Sequence, residues 1–147
     1  MNGITISYIN SLSPKYQQVW ELRDEVLRKP LGMSLKNEDL SNDHLDIIFI
    51  AEQNDRVVAC LMLHRIATDV FKLRQMAVAN ELQGKGIGKM LVAAAEVFAA
   101  QNRYNKIVLH ARKVAMGFYH ALGYAQVGHE FSEVGIPHYA MEKALQK

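Results

Sequence analysis

A chain of 147 residues, half of them hydrophobic and 22% charged, has the size and composition of one ordinary globular domain and is long enough to need no disulfide or metal to hold it together. Its formal net charge of +2 is too small to mark a nucleic-acid or anionic-membrane surface, so recognition by charge has to be local. The single cysteine, Cys60, excludes an intramolecular disulfide and a cysteine-based zinc cluster. Lying in the apolar run Val57–Leu63, it reads as an inert core thiol.

Met1–Asn10 lacks the basic start and long apolar stretch of a secretory signal. No apolar run approaches the ~18–20 residues that a membrane span needs. The expectation is a cytoplasmic protein with no membrane or nucleic-acid partner. Neither repeats nor a long linker interrupt the chain, which predicts one domain over residues 1–147.

Ile4–Ile9 alternates as a strand does. Ser13-Pro14 reads as an N-cap followed by proline at the first helical position. A helix over Lys15–Arg28 follows, with Val19, Leu22 and Val26 on one stripe, ended by Lys29-Pro30-Leu31-Gly32. The charges of Arg23–Gly32 read as an ordinary solvated helix face. Residues 33–46 are polar and mixed, a short helix or loop. Ile47–Glu52 and Val57–His64 are strands joined by a turn at Gln53–Arg56, the pattern of a hairpin. Phe71–Val78 is a further strand whose Leu73, Met76 and Val78 break clean alternation, which points to a bulge or to burial on both faces.

Gln83-Gly84-Lys85-Gly86-Ile87-Gly88 is a glycine-rich turn, and an amphipathic helix starts at once. Ile87, Met90, Leu91, Ala94, Val97 and Phe98 form its expected apolar stripe. Lys106–Ala111 is a compact strand. Val114–Leu122 is a short helix with Val114, Phe118 and Leu122 on one face, and Gly123 is its cap. Phe118 is the expected core aromatic of that helix. Tyr124–Glu130 and His138–Lys143 are the last strands. This order predicts an α/β fold, a mixed and mainly antiparallel sheet of six to seven strands with helices on both faces.

Glycines at alternate positions before a helix let the backbone wrap closely around a ligand. The helix start adds orphan N–H donors and the positive end of a dipole. Together they suit a phosphate, and Lys85 and Lys89 add charge. Two common phosphate fingerprints fail. A P-loop would need glycine at Gln83 and Ser or Thr at Met90, and a dinucleotide loop would need a third glycine at Lys89 or Leu91.

The remaining pattern, Gln83-x-x-Gly86-x-Gly88 between a strand and a helix, resembles the Gln/Arg-x-x-Gly-x-Gly/Ala signature of the GNAT acetyltransferase superfamily. Ala115-Met116-Gly117-Phe118-Tyr119-His120-Ala121-Leu122-Gly123-Tyr124 resembles that family's second motif, Ala-x-x-Phe-Tyr-x-x-Leu-Gly-Phe/Tyr. One long helix and one strand separate the two, as in the family. The ending Glu133-x-Gly135-Ile136-Pro137-His138-x-x-Met141 is similar to the ElaA-like branch.

The resemblance implies a sheet splayed between its fourth and fifth strands and transfer of an acetyl group from acetyl-CoA to a primary amine through a ternary complex. It implies that Gln83, Gly84, Lys85, Gly86, Ile87, Gly88 and Lys89 hold the CoA pyrophosphate. Met76, Ala77 and Val78 would meet the pantetheine arm and supply an oxyanion donor. Tyr119 would return a proton to the leaving thiolate. Arg112 stands where relatives often carry Asn, and beside Lys113 it is a candidate for a CoA phosphate. The segment Arg23–Gly32 would border the acceptor.

The base is open. Many relatives carry a Glu on the strand before the glycine loop, but Val70–Val78 has no carboxylate and Asp69 only precedes it. His110 is the first candidate, His64, Glu133 and His138 follow, and a water chain is an equal alternative. No metal is expected, because the six histidines show no ligand spacing. Small amines, aminoglycoside-like compounds and peptide N-termini all stay open as acceptors, and the chain as monomer or homodimer. The alternative function is a non-catalytic module that binds acetyl-CoA as a sensor.

Overall fold

Short runs of β-branched and apolar residues favour strands, and the computed structural model, which describes residues 3–145, joins them into one seven-stranded sheet. The strands are β1 (Thr5–Ile9), β2 (Ile47–Gln53), β3 (Arg56–Ala67), β4 (Val70–Val78), β5 (Lys106–Arg112), β6 (Ala125–Glu133) and β7 (Ile136–Ala144), in the order β1-β2-β3-β4-β5-β7-β6. The β1–β2, β2–β3, β5–β7 and β6–β7 pairs are antiparallel and β4–β5 is parallel, so the sheet is mixed as expected. The helices are α1 (Tyr16–Arg23), α2 (Ile87–Gln101) and α3 (Met116–Ala121). The parallel register runs only from Val70/Lys106 to Leu73/Leu109. It stops short of the C-terminal ends of both strands, as in a sheet splayed between its fourth and fifth members. No helix among the described residues is long and apolar enough to cross a membrane.

Contacts divide the chain into two compact units, Met1–His64 with Gln75–Ala95, and Arg65–Arg74 with Glu96–Lys147. In the first, Val19 of α1 packs on Ile48, Ile50, Val57, Cys60, Met62 and Ala77, flanked by Leu22 and Val26. The expected stripe is therefore the buried one. Each such side chain contributes roughly 1.5–3 kcal/mol when fully buried. Asn54 (φ 53°) and Asp55 (φ 62°) turn β2 into β3 in the left-handed pair of conformations that a two-residue hairpin turn favours.

The first helix differs from expectation at both ends. Ser13 takes the Lys15 amide on its Oγ and the Tyr16 amide on its carbonyl, so it forms a turn one step ahead of α1 rather than its cap. Beyond Arg23 the backbone widens into a π-helical turn over Asp24–Arg28 and then tightens into a 3-10 turn over Lys29–Leu31. Pro30 cannot donate to a continued helix, and Gly32 closes it at φ 70°. Residues 33–46 form two short 3-10 segments, Leu35–Asn37 and Ser41–Leu45.

In the second unit Phe71 stacks on Tyr104 at 3.7 Å between ring centroids and meets Phe98 at 6.4 Å. Ile107, Leu109 and Ala111 alternate inward along β5.

Two helical faces correct the sequence reading. On α2 the buried row is Ile87, Leu91, Ala95 and Ala99, while Val97 is 56% exposed. At 100° per residue Val97 lies about 140° from the centre of that row. Before α3, Lys113–Ala115 is a 3-10 turn. It rotates the chain by 120° per residue instead of 100°, so the phase set from Val114 is lost. Val114 is exposed, Phe118 is 40% exposed, and Tyr119, at 7%, is the buried aromatic instead.

Candidate active site

The glycine loop belongs to the first unit. Gln83 folds its side-chain amide back onto the Val78 carbonyl (3.0 Å) and Asn80 Oδ1 (3.2 Å), closing the turn on itself. Gly84 (φ 79°) and Gly86 (φ 86°) take left-handed backbone conformations, and nothing lies within 4 Å of where a Cβ would stand on either. The space beside both glycines is open, so glycine is needed for its backbone angle and leaves room for a ligand. The bond from Met90 N–H to the Gly86 carbonyl (3.1 Å) opens α2. The amides before it have no intrahelical acceptor. Lys85 and Lys89 are exposed, whereas the Ile87 side chain is buried at 1%, so only its amide can serve the loop.

On the strand leading to this loop, Gln75 has φ 57°. This is the expected irregularity of β4. Phe71 and Ala77 share strand parity, yet Phe71 joins the Tyr104–Phe98 stack and Ala77 joins the Val19 cluster. Gln75 is held from two sides. Arg23 Nε donates to its Oε1 at 3.3 Å, and Cys60 Sγ donates to its carbonyl at 3.5 Å.

Arg23 corrects the expected solvated face: it is 1% exposed and Asp24 is 7% exposed. Arg23 Nη1 pairs with Asp43 Oδ2 at 2.7 Å, the Tyr16 hydroxyl donates to the same oxygen at 2.5 Å, and Asp24 accepts the Leu35 amide at 2.8 Å. Burial, then the Asp43 bond, push the Tyr16 phenol up to about 12. Sequence could have flagged Arg23, because it lies between Val19 and Val26 on the apolar stripe. Glu25 and Lys29 do form an exposed ion pair at 2.9 Å. Both line an open cavity of about 710 Å³ in this unit, together with Trp20 and Val26.

Cys60 is fully buried, and desolvation pushes its thiol up to about 12, which makes it inert as expected. His64 sets Nδ1 2.5 Å from Oδ1 of the buried Asp46.

Tyr119 belongs to the second unit. Its ring meets Tyr124 edge-on at 5.8 Å and Phe118 at 5.0 Å. Desolvation pushes its phenol up to about 12, so it carries its proton at neutral pH. The hydroxyl has no hydrogen-bond partner among the described residues, and no described side-chain polar atom is both sealed from solvent and unpartnered. The oxygen therefore still reaches solvent.

The second motif also holds α3 in place. Leu122 and Tyr124 amides both bond the Tyr119 carbonyl (3.0 and 3.1 Å), and Gly123 turns the chain at φ 99°. The Tyr124 hydroxyl donates to Glu96 at 2.9 Å, and Lys143 donates to Glu96 (2.8 Å) and to the Leu122 carbonyl (2.7 Å).

His110 sits near the end of β5 with Nδ1 3.0 Å from Glu133 Oε1. His138 Nε2 lies 3.7 Å from the other oxygen of that carboxylate. Three of the four side chains weighed as bases thus meet in one cluster, which strand spacing alone does not reveal, while His64 is paired elsewhere. Arg112 and Lys113 are exposed, Lys113 3.6 Å from Glu130. Asp69 is engaged by the side chain and backbone of Asn105. No group of three or more potential ligands that could hold a metal occurs among the described residues.

The family model of the acetyltransferase (GNAT) domain matches residues 15–145. The chain belongs to the GNAT acetyltransferases. A Bacillus subtilis protein named provisionally as an acetyltransferase is 29% identical over 126 residues, 84% of this chain and 86% of that one. A Lactobacillus plantarum structure named provisionally as an N-acetyltransferase superposes with a TM-score of 0.88 at 25% identity, over 99% of this chain and 100% of that one. ElaA of Escherichia coli (TM-score 0.84, 18% identity, 95% and 99% coverage) shares the fold. So does a GNAT family acetyltransferase from Elizabethkingia anophelis solved with acetyl-CoA bound (TM-score 0.72, 18% identity, 99% and 100% coverage). As a GNAT acetyltransferase the protein is an enzyme, and the sensor alternative falls away.

Proposed function

We propose that residues 1–147 act as one N-acetyltransferase domain that moves an acetyl group from acetyl-CoA to a primary amine by direct attack in a ternary complex. The observation that carries this reading is the open glycine loop: two glycines at positive φ, free space beside them, and the start of α2 directly behind. These residues fit a diphosphate, which needs close backbone approach and converging N–H groups. The acetyl-CoA bound to the Elizabethkingia protein of the same fold supports the donor.

Bound acetyl-CoA supplies the thioester. In this reading the amides from Gly84 to Lys89, with Gln83 bracing the turn, hold its pyrophosphate, and the Lys85 and Lys89 ammonium groups add charge. Met76, Ala77 and Val78 offer backbone groups to the pantetheine arm. An N–H there stabilises the negative charge that develops on the carbonyl oxygen. Arg112 takes a CoA phosphate. His110 accepts the proton of the attacking amine. Tyr119 gives its proton to the leaving thiolate. Its phenol is protonated at neutral pH, and its hydroxyl, without a hydrogen-bond partner among the described residues, is free to donate.

The test is CoA release from acetyl-CoA across a panel of small amines, aminoglycosides and peptide N-termini, against the rate of hydrolysis alone. Release above hydrolysis with at least one amine is expected, together with an N-acetylated product of the correct mass. Acetylation of hydroxyl acceptors alone would contradict amine transfer.

A further inference from the structure

Two imidazoles converge on one carboxylate in the second unit. His110 of β5 sets Nδ1 3.0 Å from Glu133 Oε1, and His138 of β7 sets Nε2 3.7 Å from Glu133 Oε2. The strand registers put them on one face of the sheet. Phe131 and Arg112 both stand opposite His138, and His110 is two residues from Arg112. Phe131 meets the His110 ring edge-on at 4.9 Å and the His138 ring at 6.0 Å. The other charged or imidazole side chains on these strands are Arg112, His129, Glu130, which lies 3.6 Å from Lys113 of the turn after β5, Lys106 and Glu142, paired at 3.1 Å, and Lys143, paired with Glu96 at 2.8 Å.

Hydrogen-bond chemistry fixes the protons. An ionised carboxylate only accepts, so His110 Nδ1 carries the hydrogen and donates to Glu133. In the neutral ring the lone pair is then on Nε2. His138 is fixed independently, because its Nδ1 lies 2.8 Å from the Ile136 carbonyl, which also only accepts. The two rings differ in access. His138 is 5% exposed, whereas about a third of the His110 side chain (34%) is open to solvent. His138 is a wall of the cluster, and His110 is the ring that an incoming amine can reach.

We propose that Glu133 is the positioning residue of the His110 base: by holding the hydrogen on Nδ1 it presents the Nε2 lone pair to the acceptor. This rests on the reading of His110 as base under the proposed function. In the step itself the N–H bond of the protonated amine breaks, and its proton goes to His110 Nε2. The nitrogen keeps the electron pair that forms the bond to the acetyl carbon. The C–S bond breaks and the thiolate takes the Tyr119 proton, and the second N–H proton of the adduct passes to the Tyr119 phenolate. The resulting imidazolium keeps its Nδ1–H on Glu133, whose negative charge balances it. A lone imidazole would divide its single hydrogen between both nitrogens, so loss of Glu133 removes part of the reactive population and the charge balance together.

The tautomer is observable without any acceptor. Long-range ¹H–¹⁵N NMR on the full chain, at a pH where His110 is neutral, should show the hydrogen on Nδ1. Glu133→Ala, at an exposed position where substitution changes stability by only about ±0.5 kcal/mol, should return His110 to the mixed tautomers of free histidine. With an amine that supports turnover, it should lower kcat about tenfold or more and leave KM for acetyl-CoA unchanged. Hydrogen on Nε2 in the parent protein, or a His110 tautomer indifferent to Glu133→Ala, overturns the inference whatever the activity. If the tautomer does shift but His110→Asn turns over normally, the base reading has failed and the positioning role falls with it.

Discussion

Tyr119 keeps its ring among Phe118 and Tyr124 and leaves its hydroxyl without a hydrogen-bond partner among the described residues. Removing that oxygen should therefore cost little stability. Tyr119→Phe is expected to melt within about 0.5 kcal/mol of the parent and to lose roughly 10²-fold or more in kcat, the usual contribution of a general acid. Parallel melting curves and CoA-release assays check both halves. Equal turnover in the variant would remove Tyr119 from the reaction.

Burial of phenols also sets the alkaline limit of the fold. Tyr16 and Tyr119 are pushed up to about 12, Tyr124 is raised as well, and Cys60 is pushed up to about 12. Between their ordinary and raised values the unfolded chain releases protons that the folded chain keeps. Stability is then complete below about pH 9 and falls as the pH rises toward 12. Melting midpoints between pH 8 and 11.5 should be level at first and then decline, and Tyr119→Phe should decline less steeply. A Tyr119→Phe curve parallel to the parent's would contradict the burial argument. At this scale the motif exposed Tyr119 in the sequence, but which neighbour is buried was decided by the 3-10 turn at Lys113–Ala115, and a 3.6-residue period cannot register that turn.

Two elements carry the proposed donor site, the loop into α2 and the irregular β4. At Gly84 and Gly86 a side chain would meet open space, so a substitution there is opposed by backbone angle alone. Gly86→Val is expected to cost about 1–2 kcal/mol in stability and, at a given acetyl-CoA concentration, to abolish most of the ligand's thermal stabilisation. Retained stabilisation in that variant would show that the loop does not touch the donor.

Gln75 depends on a longer-range arrangement, since Arg23 reaches it from α1 and is itself paired with Asp43. Arg23→Met would leave the Asp43 carboxylate, 3% exposed, without that partner. Breaking one side of a buried pair typically costs 3–5 kcal/mol, which urea unfolding would read as a lower midpoint at unchanged slope. A loss under 1 kcal/mol would mean that Asp43 finds another partner. The glycine loop was legible because local chemistry dictates it. The Arg23–Asp43–Gln75 chain was not, because 20 and 52 residues separate its partners.

Over the whole molecule, the succession of strands and helices along the chain follows from periodicity and turn chemistry. The Val57–Leu63 run, buried on both strand faces, the Asn54-Asp55 turn and the Gly123 cap all sit where their residues demand. What periodicity could not supply was the meeting of distant strands. His110, Glu133 and His138 were each visible as titratable residues, and only the β5–β7–β6 pairing brings them together.

The claim on which the rest depends is that this GNAT acetyltransferase binds acetyl-CoA through the Gln83–Lys89 loop. Thermal unfolding with acetyl-CoA, with ATP and NAD as controls, tests it directly. A ligand at 100 times its Kd stabilises the native state by about 2.7 kcal/mol, a rise of about 5–10 °C for a domain of this size. The account predicts that rise with acetyl-CoA alone. No shift at saturating acetyl-CoA, or an equal shift with ATP, would contradict it.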